Sequence, residues 1–346
     1  MTIPSTVALF HGEDRAATVA AAVDAVIDRL PWATIRHVVI KPNLVWHWTP
    51  AACTHADTLA VVLGQVRKRF GGRITVGEGC PENLARDAFQ TLGVADVAAR
   101  FGARLLDLNR DRWAPLTIMD GNGRPVRVRM SRTVYESDCR ISLAVPKTHD
   151  SVLVTLGIKN LVMGSLINNL PVRRTRLLRA LDRLWQRVLR QHPKPGNDKF
   201  SVHRGAPAMN ANIALLARSV APHLTVLDGH LAMEGDGPVF GDLLPWRIAA
   251  AGTDPLAVDW LVCSLMGIDP QSVGYLHYAR LLGVGRGEPL APAAGNVAPA
   301  ALRRQFRLHC DAEAQRQWES DRIRERLMAL AGKQFPPSLT LALSEP

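Results

Sequence analysis

Between residues 14 and 30 the apolar positions Val19, Val23, Val26, Ile27 and Leu30 recur at helical spacing and predict an amphipathic helix. A short apolar run, HVVI (37–40), follows and predicts a buried strand that ends at KPN. THADTLAVVLGQVRKRFGG (54–72) returns to helical period and is stopped by Gly71 and Gly72. RITV (73–76) is a strand ending at GEG, a helix is expected over about 82–92, and RLLDL (104–108) is a further strand. LTIMDGNGRPVRVRM (116–130) alternates on either side of a Gly/Asn/Pro turn, the pattern of a β-hairpin. RISLAV (140–145), LTVLD (224–228) and RIAAAG (247–252) complete the strands, the last two followed by helical sequence. Strands alternating with helices predict an α/β fold: a mostly parallel sheet with helices on both faces, plus the hairpin.

The polar residues fall where that fold would use them. Lys41, Asn43 and then His47 follow the first of these strands, and Glu78 follows the second. Lys147 and His149 follow RISLAV, Asp228 and His230 close LTVLD, and Asp254 follows RIAAAG. In a parallel sheet the carboxyl ends lie along one edge, and ligands bind in the crevice there. On this reading all five strand ends face one site.

Composition narrows the class. The chain has 346 residues, 47% apolar and 21% charged, enough for a full core and far from the balance of disordered chains. Residues 1–298 read as one α/β domain or two sub-domains, and 299–346 as a charged helical extension. Of the 42 Lys and Arg residues, ten lie within 173–204 beside two Asp, so this segment holds most of the net charge of +11. RRTRLLRALDRLWQRVLRQH (173–192) is amphipathic and predicts a basic helical insertion at about 170–205. Its arginine face has three fates: solvation or homodimer packing, attraction of an anionic substrate, or contact with nucleic acid or lipid. With no recognised nucleic-acid module, nucleic acid is the least favoured. His203 and Arg204, beyond a Pro/Gly/Asn linker, are placed to fold back to the crevice.

The five cysteines form no CxxC pair, so iron–sulfur and zinc-ribbon spacings are absent. There is no GxxxxGK[ST] and no GxGxxG opening a helix after a strand, which disfavours a P-loop or a dinucleotide-binding domain. No apolar run reaches the roughly 18 residues of a membrane span. The start, MTIPSTVALFHGEDR, lacks a basic leader, so the expected location is cytoplasmic.

Each candidate has a structural alternative. Asn43 can bond turn backbone. Glu78, between Gly77 and Gly79, can be a turn acid or stand where backbone approaches a ligand closely. Asp254 precedes Pro255, and a helix cap is its better reading. Asp259, inside LAVDWLVCSLMG, needs a partner when buried, either a lysine or a ligand. Lys147 and His149, two apart, point the same way from an extended chain. Lys159 lies in the apolar LVTLGIKNLVMG, where lost hydration would lower its pKa unless it snorkels to the surface. Gly235 and Gly237, in MEGDGP (233–238), make a turn, or a cradle for an anion or a metal-linked carboxylate pair.

KPN, GEG, PKTH followed by TLGIKNLVMG, DG then EGDGP, and GTDPLAVD followed by MGIDP together resemble the domain of unknown function 362 family, over about residues 36–287. The resemblance implies a shared site of Lys41, Asn43, Glu78, Lys147, His149, Lys159, Asn160, Asp228, Gly237, Asp254 and Asp259. Some members carry an appended ferredoxin-like cysteine cluster, and this chain does not. A local likeness, His149 and Lys159 ten residues apart, is similar to nickel-pincer-dependent lactate racemase, whose members tether a nucleotide-derived nickel cofactor through lysine.

The function expected from these readings is an enzyme that acts on a small carboxylate or phosphate metabolite by proton transfer. His149, Lys159, Lys147 and Glu78 would do the chemistry. Lys41, Asn43, Asn160, Asp228, Gly235, Gly237, Asp254, Asp259, His203 and Arg204 would bind the substrate, with metal and cofactor unassigned. Two alternatives stand beside it: a non-catalytic binding or assembly protein built on helix 173–192, and a nickel-pincer-type racemase or epimerase.

Overall fold

Strand pairing follows the apolar runs. The computed structural model describes residues 7–81, 84–170, 196–287 and 292–334. Its strands are β1 (Val7–His11), β2 (His37–Lys41), β3 (Arg73–Glu78), β4 (Arg104–Asp107), the hairpin β5 (Trp113–Met119) and β6 (Pro125–Ser131), β7 (Cys139–Ala144), β8 (Lys147–His149), β9 (Leu153–Thr155), β10 (Leu224–Glu234), β11 (Asp242–Gly252) and β12 (Ala294–Gly295). All but the hairpin join one sheet of order β12-β1-β11-β10-β7-β2-β3-β4, with β8 and β9 attached to the far end of β10. Neighbours from β10 through β7, β2 and β3 to β4 run parallel.

Alternation along each strand divides the core in two. Val38 and Ile40 of β2 enter the apolar cluster under the helices Arg15–Asp24 and Ala56–Arg69. Val39 between them enters the cluster on the other face, under Gly157–Ser165, Gly205–Val220 and Pro255–Leu265. The successive Cβ atoms of a strand point to opposite faces, so apolar residues at every position are what two helical layers require.

Two sequence expectations need correction. RIAAAG belongs to β11, which runs antiparallel to β10, with Thr225 opposite Gly252 and Glu234 opposite Asp242. MEGDGP ends β10 and begins the short turn to β11, and a short connection of this kind joins antiparallel strands only. The carboxyl end of β11 therefore lies at the sheet edge opposite the ends of β2, β3 and β7. Asp254 goes with it and accepts a hydrogen bond from the Ala257 amide at 3.0 Å, as the cap of helix Pro255–Leu265. β1, a five-residue run that pairs with β11 and β12, is a strand beyond those the apolar pattern predicts.

The segment 173–192 lies outside the described residues. The extension after residue 298 packs on the rest of the chain. Phe306 stacks on Trp246 at 4.9 Å, Trp318 lies against Tyr278 at 5.3 Å, and Leu327 is buried. Gln315 Oε1 accepts from the Leu153 amide of β9 at 2.5 Å. Among the described residues no helix is long and apolar enough to cross a membrane.

Candidate functional site

At the carboxyl edge of β2, β3 and β7 the polar side chains interlock. Lys41 ends β2, and its Nζ donates to Asn160 Oδ1 at 2.8 Å, to the Pro42 carbonyl at 2.8 Å and to Glu78 Oε2 at 3.1 Å. The same carboxylate oxygen accepts from the Leu44 amide at 2.8 Å. Asn43 Nδ2 donates to Asn160 Oδ1 at 2.9 Å, while Asn43 Oδ1 accepts from Lys147 Nζ at 2.6 Å. Lys147 also donates to the Ala52 carbonyl at 2.6 Å. Asn160 Nδ2 in turn donates to Ser142 Oγ and to the Leu143 carbonyl. Because Asn160 Oδ1 takes two donors and Nδ2 faces only acceptors, the amide has one possible orientation.

The preceding residue of the helix meets a different partner. Lys159 Nζ lies 2.8 Å from His149 Nε2. His149 Nδ1 is 3.0 Å from the Ser151 amide and 3.0 Å from Asp150 Oδ1. Nδ1 faces both a donor and an acceptor, so each of two proton arrangements satisfies one of its two contacts. In the first, a Lys159 ammonium donates to Nε2 and the ring donates from Nδ1 to Asp150. In the second, Nδ1 accepts the Ser151 amide, Nε2 carries the hydrogen, and Lys159 is a neutral amine. They differ by one proton, which Lys159 holds in the first and gives up in the second.

Electrostatics favour that exchange. Burial, with the charges of Lys147 and Lys41 nearby, brings Lys159 down to about 7. Burial brings Lys147 to about 8. His149 falls to about 3 through burial and the adjacent Lys159, and so is neutral at pH 7. Burial alone would raise the Asp150 carboxyl, yet bonds from His149 and Ser151 and the charge of Lys159 hold it well below the usual range. These directions follow from removing charged groups from water and placing like or unlike charges beside them.

Asp259 sets where Lys159 and Asn160 stand. Its two carboxylate oxygens accept from the Gly157 and Ile158 amides at 2.8 and 2.9 Å, at the buried start of helix Gly157–Ser165. The partner that Asp259 requires is thus backbone, not a lysine or ligand. Burial raises its carboxyl to about 7.

Other expected residues lie elsewhere. Asp228 shares the parity of Leu224 and Val226, on the face opposite Lys41, and bonds Thr58 Oγ1 at 2.5 Å and Arg15 Nε at 3.3 Å. It does not join the lysines. Gly235 and Gly237 form no anion cradle among the described residues. The Gly235 amide donates to Arg307 O at 2.6 Å, and Gly237 lies so close to Thr148 that a Cβ would strike its carbonyl. Arg204 faces Asp120 and the hairpin turn, not the lysines. His203 contacts the Lys199 carbonyl through Nδ1 at 2.8 Å and feels the charges of Lys159 and Asp150.

Sequence reasoning missed Lys199. It is buried, donates to the Met163 and Leu166 carbonyls, and is lowered to about 8 by burial, with Glu78 and Lys41 among its charged neighbours. Its only signal was a lysine among the many basic residues of 173–204, where one buried member looks like the rest. Ser142 and Thr54, which bond Asn160 and Asn43, carried no signal beyond their type.

Gly164 makes the floor. A Cβ there would occupy the space of Lys41 Cε and Nζ and come within 2.9 Å of Glu78 Oε1. Gly164→Ala is therefore expected to push Lys41 off Asn160 and leave a buried ion pair strained, costing about 1–3 kcal/mol. Urea denaturation checks this, and a change below about 0.5 kcal/mol would show that the floor has slack.

Comparison with known proteins adds three findings. The sequence model of a family described as domain of unknown function (DUF362) matches residues 38–264. A thylakoid-associated protein of Synechocystis sp. is 24% identical over 248 residues, 71% of this chain and 68% of that protein. The lactate racemase apoprotein from Thermoanaerobacterium thermosaccharolyticum aligns with a TM-score of 0.46 at 10% identity, over 75% of this chain but only 56% of that one.

Proposed function

Because the chain belongs to the domain of unknown function 362 family, whose name carries no reaction, its chemistry has to come from its own residues, and we propose that it is an enzyme that moves a proton at a carbon centre of a small anionic metabolite. One observation carries this. Among the described residues Lys147, Lys159 and Lys199 are buried, yet no carboxylate lies within ion-pair distance of any of them; only Lys41 has one, in Glu78. Uncompensated buried ammonium groups are costly. A protein that buries three lysines with no carboxylate paired to them has a use for them, and an incoming carboxylate or phosphate is the partner that would restore the balance.

The roles follow from the contacts. Lys147, whose bonds to Asn43 and the Ala52 carbonyl leave it one N–H, holds the substrate anion. Lys41, its three N–H groups taken by Asn160, Pro42 and Glu78, adds positive charge nearby as negative charge develops. Neutral Lys159 takes the proton from carbon, and the electron pair of that bond moves into the adjacent carbonyl to give an enolate. His149 and Asp150 orient the amine and stabilise its protonated form. Return of the proton to either face, or loss of a neighbouring group, completes an isomerase or lyase step.

The test is deuterium wash-in followed by NMR, in D2O, over a panel of 2-hydroxy and 2-oxo carboxylates and phosphate monoesters. Exchange at carbon is expected for at least one compound and is expected to vanish in His149→Gln. No exchange and no thermal shift with any compound would overturn the proposal. Affinity for the bound anion is expected to fall between pH 7 and 9, about tenfold per pH unit for each proton taken up, because anion binding requires lysines that burial has partly deprotonated. Titration calorimetry at several pH values measures it.

A second reading rests on the same neutral amine. Lys159, buried beside His149, fits the tethering lysine of a nickel-pincer cofactor, which would supply hydride chemistry. Intact-mass spectrometry showing a nucleotide-derived adduct on Lys159 would replace the proton-transfer reading.

A further inference from the structure

The turn that connects β10 to β11 presents Asp236 outward, and the extension after residue 298 runs across it. We propose that Asp236, His309 and Cys310 form a binding site for a divalent transition metal of the zinc class, separate from the lysine cluster. Their donor atoms lie within 4.8 Å of one another. Cys310 Sγ is 3.6 Å from His309 Nδ1 and Asp236 Oδ1 is 4.0 Å from His309 Nε2, opposite nitrogens of one ring, so an ion at Nδ1 has to draw Asp236 in or turn the ring. Tetrahedral zinc, with bonds of about 2.0–2.3 Å, holds its donors about 3.3–3.6 Å apart, so the set has to close by about 1 Å.

The donor types point the same way. A thiolate, an imidazole and a carboxylate together suit zinc or cobalt better than magnesium or calcium, which take oxygen alone. Cys310 is the exposed cysteine, whereas Cys53, Cys80, Cys139 and Cys263 are buried. His309 Nδ1 accepts from the Asp311 amide at 3.0 Å, a local bond that a metal at this nitrogen would replace. Asp311 Oδ2, 3.9 Å from the same nitrogen, stands in reach as a fourth donor.

The backbone around the site is already held. The Gly235 amide donates to Arg307 O at 2.6 Å, the Arg307 amide donates to Glu234 Oε2 at 3.1 Å, and Arg307 pairs with Asp242. Both sides of the site are therefore pinned to each other before any ion arrives. The opposite surface of the turn abuts β8, where Thr148 Oγ1 donates to the Gly235 carbonyl at 2.8 Å. A metal here would fasten the C-terminal segment to the turn that backs Lys147 and His149.

The test uses the full-length, untagged protein stripped with a chelator and titrated with Zn2+, then with Co2+ as a spectroscopic probe. One equivalent of zinc is expected by calorimetry and elemental analysis, together with a higher melting temperature. With Co2+ a thiolate-to-metal charge-transfer band is expected. Cys310→Ser and His309→Gln should lower zinc affinity by at least the roughly 10–100-fold that outer-shell partners alone contribute, and should abolish the band. Absence of zinc binding by the wild type, binding unchanged in Cys310→Ser, or cobalt bound without the band would each overturn the site. Should either variant fail to fold, Asp236→Asn, at an exposed carboxylate, must show the same loss of zinc affinity.

Discussion

Lys159→Met is expected to lower turnover of the true substrate by about 10²–10⁴ while making the folded chain more stable. The two effects have one origin. Burial lowers this lysine from 10.5 to about 7, so the unfolded chain binds more protons than the folded one between these values. Stability from this group therefore rises with pH across that window and is lowest below pH 7, where the buried ammonium costs on the order of 5 kcal/mol. Methionine fills a similar volume without the charge. The variant should then melt later than wild type at pH 6.5, with the gap narrowing toward pH 9. Urea titrations at the two pH values and the deuterium wash-in assay give the three readings. A variant that loses stability at pH 6.5, or that keeps near-wild-type exchange, would remove Lys159 from the chemistry.

Asp259→Ala is expected to be the most damaging single change to the fold. It leaves the Gly157 and Ile158 amides bare inside the protein, and each buried donor without an acceptor costs about 1–3 kcal/mol, so the pair costs about 2–6 kcal/mol. Loss of the cap should also release Lys159 and Asn160, two and three residues beyond Gly157, and turnover should fall with stability. The sign of the pH effect is opposite to that of the lysines. A carboxyl raised from 3.8 to about 7 is protonated in the folded chain and ionised in the unfolded one across that range, so its contribution declines as pH rises from about 4 to 7. Asp259→Asn, which keeps one acceptor, should be milder and flatten that decline. Urea denaturation between pH 4 and 8 distinguishes them, and equal stability of wild type and Asp259→Ala would show that other acceptors serve those amides.

The lysine edge could be read from the sequence because β2, β3 and β7 are short apolar runs, and each hands over directly to polar residues. Parallel strands then place Lys41, Glu78 and Lys147 side by side without further information. Direction was the weak point. RIAAAG has the same apolar period whether it runs with or against LTVLD, and only the shortness of the turn between them decides, so the apolar pattern alone places Asp254 at the wrong edge. Asp228 failed for a different reason. It does end at the right edge, but its parity with Leu224 and Val226 sends it to the other face, and that parity was visible in the sequence. The spacing of ten residues signals His149 and Lys159 as a pair, but their 2.8 Å contact depends on Asp259, some hundred residues later, fixing where the helix begins. Lys199 was hidden by company, since charge counts do not separate a buried lysine from solvated ones.

The cap on helix Gly157–Ser165 also has a meaning in time. Lys147 meets Asn43 across 104 residues of chain, Asn43 meets Asn160 across 117, and the amide that positions that helix finds its acceptor 102 residues further on. During synthesis from the amino terminus every lysine of the cluster has emerged well before Asp259 does. Until then Lys41 and Lys147 already have Glu78 and Asn43 within the emerged chain, but the Gly157 and Ile158 amides have no native acceptor. The helix start that carries Lys159 and Asn160 is therefore expected to be capped from the carboxyl-terminal side, late in the life of the nascent chain.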